Sequence, residues 1–409
     1  MGKPTMYTSI PLSEVPTGLL PIIDEVARKQ LRRADATGVA LAAQVARLSA
    51  LYTRTRDDIG GDDASNALLA ARLRFFLPRD LPKIMLPLAE LLAQGALPGA
   101  RRPQVLDLGA GLGATCLGAA RFGAITGAWD GLDVVAVDPF EPGLRLLSAL
   151  AARAEEGGLV PTRVSPVALD MGRRLPAGPF DLVLFGLSLN EWSRNKSAAE
   201  AADLVERAAG RLTDDGAIII LEPALKREAR FLQETRDELA KRGRLAVFAP
   251  CRSAAPCPML PSERDWCHTA VHGELATPLA EIARAAGLRR SRLTFSYLTL
   301  RRRRPNSETD GALTWPEGSF RVVSDPRPTK GKLELFVCGG GELVRLMRLK
   351  RQQSPDNAGI DEARRGDLLT VRGPLVPDRA RLRIGPEHTI RRQAPGDEDG
   401  PAQPPPNTE

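Results

Sequence analysis

Residues 105–138 read VLDLGAGLGATCLGAARFGAITGAWDGLDVVAVD. An apolar run, Val105, Leu106 and Leu108, ends in three alternate glycines, Gly109, Gly111 and Gly113. A helix of small residues follows, then a second apolar run over 134–137 that ends in Asp138. Strand, glycine turn, helix, strand is the opening unit of a doubly wound α/β sheet that binds a nucleotide. The residue types suit that task. Glycines let the backbone approach a ligand, a helix N-terminus favours negative charge, and a carboxylate closing the second strand can accept both ribose hydroxyls.

Two cofactors suit such a unit. GAGLGA satisfies the dinucleotide pattern, with Ala114 in the third small position. Asp107 argues against it, because an acid just before the glycines suits an ammonium group better than a pyrophosphate. Asp107-x-Gly109-x-Gly111-x-Gly113 resembles the first motif of S-adenosylmethionine-dependent methyltransferases, whose ligand carries an α-amino group and no phosphate. The expected fold is that Rossmann-like methyltransferase sheet, with cofactor residues Asp107, Gly109, Gly111, Gly113, Asp138 and Asp170. In the methyltransferase fold, the position of Asp170 lies near the adenine amino group.

The chain has 409 residues, enough for two or three domains. Residues 1–100 carry apolar side chains at helical spacing over 19–33, 39–54 and 66–97, with a break near Asp62 and Asp63. Prolines 78, 82 and 87 predict two short helices with a turn around 78–82. The methyltransferase-like domain spans 101–304. Its further strands are expected at 162–167, 180–185, 217–221, 245–249 and 293–300, with helices at 142–155, 204–212 and 278–286. Short β-rich segments at 320–323, 332–337 and 343–349 predict a small antiparallel region within 305–380. From 381 the Pro-rich, polar composition predicts a disordered tail.

No apolar run approaches a membrane span, and the start resembles neither a signal peptide nor a presequence. A cytoplasmic monomer is expected. The net charge is +7, with arginines clustered over 289–304 and 345–351, which favours a polyanionic partner over a small substrate. A solvated face explains either run alone nearly as well.

Five cysteines in a reducing compartment do not make a disulfide framework. Cys116 stands apart on the glycine-loop helix, as a small buried hydrophobe. Cys251, Cys257 and Cys267 share one proline-rich loop, APCRSAAPCPMLPSERDWCH, and Cys338 lies seventy residues further on. Such loops are poor core material, so metal ligation is the better reading. Four thiolates suit tetrahedral zinc or a four-iron four-sulfur cluster. The wide spacing is not that of a zinc ribbon and tilts the choice toward iron. A Cys3His zinc site using His268 or His272 is the alternative.

Over most of residues 20–370 the chain resembles the methyltransferase-like assembly factors of the small ribosomal subunit, known from mitochondria and with bacterial relatives. The matching pieces are the region 72–78, DLGAGLGA, DLVLFGLSLNEW, the strand ending Leu221-Glu222-Pro223, the loop PC-x5-CP followed by DWCH, Cys338 in LELFVCGGGELVR, and RRGDLL at 364–369. One departure is Arg252-Ser253 after Cys251, where the family commonly has His. The resemblance implies a four-iron four-sulfur cluster on Cys251, Cys257, Cys267 and Cys338, and binding to small-subunit ribosomal RNA during assembly.

The sequence nominates no catalytic residue. Where amino- and base-methylating enzymes carry Asn/Asp-Pro-Pro-Tyr/Phe after the fourth strand, this chain reads GLSLNE at 186–191. Three functions compete: a ribosome-assembly factor that binds RNA, an active RNA methyltransferase, and a small-molecule methyltransferase with structural zinc.

Overall fold

A computed structural model of the chain describes residues 16–31, 37–53, 66–159, 161–251, 253–303, 318–374, 377–378 and 381–393. Asp62, Asp63, Arg304 and the tail beyond 393 lie outside them.

The first sheet contains β1 (Gln104–Leu108), β2 (Leu132–Val137), β3 (Thr162–Val167), β4 (Phe180–Gly186), β5 (Leu212–Pro223), β6 (Leu245–Ala249), β7 (Thr269–His272) and β8 (Arg292–Arg302). Their order is β3-β2-β1-β4-β5-β8-β6, with β7 also on β8. Strands β1 to β5 pair in parallel, while β8 runs antiparallel to β5, β6 and β7. Strand order therefore reverses between β1 and β4, and ligands in such sheets bind beyond the carboxyl ends at that point. This is the expected doubly wound methyltransferase architecture. The inner strands are buried on both faces, as the continuous run Ala217, Ile218, Ile219, Ile220 and Leu221 demands.

The N-terminal helices share one core with a face of this sheet. Ile23, Val45, Leu73 and Leu88 belong to the same apolar cluster as Val105, Val134 and Phe295. The contact is close. A Cβ on Gly118, in the helix Ala114–Thr126, would lie 2.3 Å from the Leu81 carbonyl oxygen. No turn interrupts residues 66–93, contrary to the expectation from the prolines. The helix changes pitch instead: α over Asn66–Ala71, π over Arg72–Phe76, α over Leu77–Asp80, 3-10 over Leu81–Ile84 and α over Met85–Ala93. Pro78 and Pro82 each fall on the second residue of a new segment, where the pitch changes.

The second sheet comprises β9 (Ser319–Val322), β10 (Arg327–Pro328), β11 (Lys332–Gly339), β12 (Glu342–Leu349), β13 (Leu368–Arg372), β14 (Pro377–Asp378), β15 (Arg381–Ile384) and β16 (Thr389–Gln393). Its order is β14-β15-β12-β11-β9-β13-β16, with β10 on β11. Two expectations are corrected here. The sheet is eight-stranded and contains one parallel pair, β12 with β15. Residues 381–384 and 389–393 are strands, because Ile384 and Ile390 complete the core around Leu335, Val337 and Leu346. Buried His388 holds this end together: its Nδ1 accepts from the Gly385 N–H and its Nε2 bonds the Pro374 carbonyl. No helix among the described residues is long and apolar enough to cross a membrane.

Candidate functional site

A cleft of about 680 Å³ opens at the carboxyl ends of β1 and β4. Gly109, Gly111 and Gly113 adopt φ of +73°, +52° and +84°, the left-handed region where side chains are strained. Gly109 is also hemmed in, since a Cβ there would lie 2.3 Å from the Ser188 Cβ. Ser188 ties the two loops by donating to the Leu108 carbonyl at 2.6 Å. Asp138 accepts the Gly111 N–H at 2.9 Å through one oxygen and the Phe140 N–H at 2.8 Å through the other. Each oxygen keeps a further lone pair for a ligand hydroxyl. Asp170 accepts the Gly172 N–H at 2.8 Å.

Gly109, Gly111, Asp138 and Asp170 line the cleft together; Asp107 and Gly113 do not. Gly113 caps the following helix instead. Asp107 lies fully buried behind the loop, with neither oxygen accepting a hydrogen bond of ordinary geometry. Burial pushes its pKa up to about 7; the adjacent Cys116 thiol opposes this and Asp138 adds to it. Cys116 itself is buried and apart from the other cysteines, as expected.

After β4 the chain turns sharply at Leu187, whose φ of +63° costs about 1–3 kcal/mol. Its N–H donates to the Leu221 carbonyl, holding the turn against β5. Asn190 then points at buried Glu222, which accepts from both the Asn190 backbone N–H and the Asn190 side-chain amide. The asparagine nearest the place of a target-nitrogen motif is thus committed inside the fold. Glu191 and Trp192 face the cleft.

The opposite wall comes from residues that the sequence reading gave no chemistry. Tyr52, Arg72, Phe76, Arg79, Asp80 and Lys83 enter from the N-terminal helices. Lys83 is buried, 2.8 Å from Asp80, and burial lowers its pKa. A signal existed: residues 72, 76, 79 and 83 are spaced as one face of a helix. Arg289 and Arg292 close the cleft from before and at the start of β8.

The cysteines form the second site. Cys251 follows β6, Cys257 and Cys267 sit in the loop toward β7, and Cys338 lies on β11. All four line one cavity of about 30 Å³, with Arg236 and Arg321. The helix Lys226–Arg242, which the sequence reading omitted, organises the loop. Gln233 donates to the Cys257 sulfur at 3.0 Å and accepts the Cys267 N–H at 3.1 Å. Asp237 accepts the Cys257 N–H, and Arg236 donates to the Ser253 and Ala255 carbonyls. Burial pushes the Cys338 thiol up to about 12, with Cys251 and Cys257 adding to the rise. Cys251 and Cys267 are raised by burial and by the neighbouring thiols. Among the described residues, no three or more His, Cys, Asp or Glu side chains are arranged to hold a metal ion. His268 borders an adjoining cavity and stacks on Trp266, its ring centroid 5.8 Å away. Burial lowers its pKa to about 4.

Two basic runs resolve into different roles. Arg301 and Arg302 bond the Asp215 and Leu212 carbonyls at the far end of the first sheet, away from the cleft. Arg348 is buried, bonding Asn357 and Asp361. Arg345, three residues earlier, lies on the opposite face of β12.

Residues 93–369 match the model of the family described as Mitochondrial small ribosomal subunit Rsm22. No curated protein matches the chain. Solved structures similar to parts of it include the CcbJ methyltransferase of Streptomyces caelestis, 25% identical over 32% of this chain and 47% of that one, with TM-score 0.24. An S-adenosylmethionine-dependent O-methyltransferase of Thermotoga maritima is 14% identical over 54% of this chain and 66% of its own, with TM-score 0.29. An O-methyltransferase described from Nostoc punctiforme is 16% identical over 53% and 69%, with TM-score 0.34. The chain thus spans less than two thirds of the first two structures.

Proposed function

The chain belongs to the Rsm22 family of mitochondrial small ribosomal subunit proteins, and from that membership we propose a methyltransferase-like factor that binds small-subunit ribosomal RNA. In this reading S-adenosylmethionine occupies the cleft and a four-iron four-sulfur cluster is held by Cys251, Cys257, Cys267 and Cys338. The observation that carries the proposal is that the glycine loop of a nucleotide-type cleft and four cysteines on one cavity both fall inside the family-matched span.

The cleft residues suit the ligand. Asp138 offers lone pairs to the two ribose hydroxyls, Asp170 an acceptor to an adenine amino group, and 109–111 a backbone with no side chain in the way. When bound, S-adenosylmethionine supplies an electrophilic methyl group. Asn190 is held by Glu222 and does not line the cleft, which favours a binding role over transfer.

Four cysteine thiols on one cavity match the ligand type and number of a four-iron cluster, and their wide spacing along the chain is not that of a zinc ribbon. Arg236 and Arg321 stand beside them to offset the charge of thiolate ligands. Bound there, a cluster supplies metal–sulfur bonds that join the loop to β11.

The test is sedimentation of tagged protein with ribosomal subunits, alongside transfer from methyl-labelled S-adenosylmethionine. Comigration with small subunits and unlabelled RNA is the expected result. Label in the RNA would establish the active methyltransferase instead, and failure to comigrate would overturn the ribosomal reading.

A further inference from the structure

The second sheet has two faces, and strand register assigns every residue to one of them. On β11, Leu335 and Val337 enter the sheet's own core. Lys332, Glu334, Phe336 and Cys338 alternate onto the other face. Pairing extends that face: Phe336 lies opposite Arg345 on β12, Arg345 opposite Arg381 on β15, Met347 opposite Arg383, and Glu334 opposite Arg327 on β10.

One end of this face is covered. Cys338 and its neighbour Arg321 press against the cysteine loop, where Phe336 and Leu343 also pack. The other end is open. It carries Arg327, Lys332, Arg345, Arg381 and Arg383 against the acid Glu334. Glu334 is spread between Lys332 at 2.9 Å and Arg345 at 3.8 Å. Arg345 is one-third exposed, and Arg327 and Arg383 are exposed.

Phe336 gives this cationic end its order. The Arg345 guanidinium lies 5.1 Å from the ring centroid and that of Arg327 5.8 Å. Cation–π contact fixes both planes before any ligand arrives, so less side-chain freedom is lost on binding. Planar, oriented guanidinium groups in a row match phosphates along a backbone, which they can bond in bidentate fashion. Arginines on three strands of one face, β10, β12 and β15, favour a polyanionic backbone over the isolated carboxylates of a protein partner.

We propose that the β10–β11–β12–β15 face is the docking surface for the RNA phosphodiester backbone, with Arg345, Arg381 and Arg383 as its phosphate contacts and Phe336 as the support that orients Arg345 and Arg327. This rests on the ribosomal reading above and names the part of the chain that meets the RNA. The docking is independent of base sequence, because contacts to phosphates carry no sequence information.

The experiment measures binding of the full chain to a fluorescein-labelled small-subunit rRNA transcript and to labelled oligouridine, across a salt series. The triple variant Arg345→Gln, Arg381→Gln, Arg383→Gln should bind both RNAs roughly tenfold or more weakly at moderate salt. Its slope of log affinity against log salt should flatten by about 2, given about 0.7 per single-strand contact. The corresponding Arg→Lys triple should keep the wild-type slope. Arg301→Gln with Arg302→Gln, which lowers net charge at the far end of the first sheet, should leave it unchanged. Wild-type affinity and slope in the Gln triple would overturn the surface while leaving the ribosomal reading intact. No RNA binding by the wild type would remove both. Loss of small-subunit association by the Gln triple, with unchanged affinity for naked RNA, would assign the face to a ribosomal protein and overturn the RNA proposal.

Discussion

Arg321, on the first strand of the second sheet, reaches Glu90 in the N-terminal helical layer, with Nη1 2.7 Å from Oε1. Both side chains are buried, and Tyr297 of β8 donates to the other Glu90 oxygen at 2.9 Å. Arg321 also donates to the Gly366 and Pro250 carbonyls, the latter one residue before Cys251. Three parts of the chain, and one flank of the cysteine cavity, therefore meet on a single guanidinium.

Removing one member of such a pair leaves an uncompensated buried charge. Arg321→Met should destabilise the protein by about 3–5 kcal/mol, and Glu90→Gln by a similar amount. The double variant should recover part of the loss, because no lone charge remains. Urea denaturation of the three variants measures this; additive losses would show that the two residues do not act as a pair.

Asp138→Ala should weaken S-adenosylmethionine binding by about 1.5–3 kcal/mol, the scale of a hydrogen bond to a charged group. Calorimetry with equal affinities for variant and wild type would put the ligand elsewhere.

Asp107 predicts a pH effect whose sign is fixed by its raised pKa. Its folded value, about 7, lies above the unfolded 3.8, so the folded chain keeps its proton longer. Stability of the ligand-free protein should fall from this group as pH rises between about 4 and 7, then level off. Asp107→Asn removes the slope. It should be more stable than wild type near pH 8, by up to about 4 kcal/mol for a shift of about three pKa units, and equal to it near pH 4. Denaturation curves at the two pH values decide this.

Anaerobic purification should give brown protein with about four iron and four sulfide per chain. Cys338→Ser should lose the colour and speed amide exchange in β11 and the cysteine loop, while β1, β2 and β4 keep their protection. Cys116→Ser should stay brown. Colourless protein with one bound zinc would replace the cluster by a structural zinc site.

Apolar periodicity carried most of the first sheet into view. The strand at 162–167 coincides with β3, a largely exposed edge strand. That at 245–249 coincides with β6, because a strand buried on both faces reads as an unbroken apolar run. The helix Lys226–Arg242 escaped notice for the opposite reason. Its buried side includes Gln233 and Arg236, which bond the cysteine loop, and Thr235, which bonds back to Phe231, so its apolar stripe is thin. Residues 381–393 were hidden in the same way, since the core takes only Leu382, Ile384 and Ile390 from an arginine-rich stretch. The arginine run of β12 looked uniform as a list of residue types. Alternation along the strand divides it, turning Arg348 inward to Asn357 and leaving Arg345 at the surface.

The two hydrogen bonds of Asp138 have an evolutionary consequence. The carboxylate that would receive a ribose is also the latch that holds Gly111 and Phe140 in place. A descendant that abandoned its cofactor would still be under pressure to keep this acid, because losing it would release the turn. The presence of an aspartate at this position in a relative is thus a marker of loop shape, and only measured binding marks a living pocket.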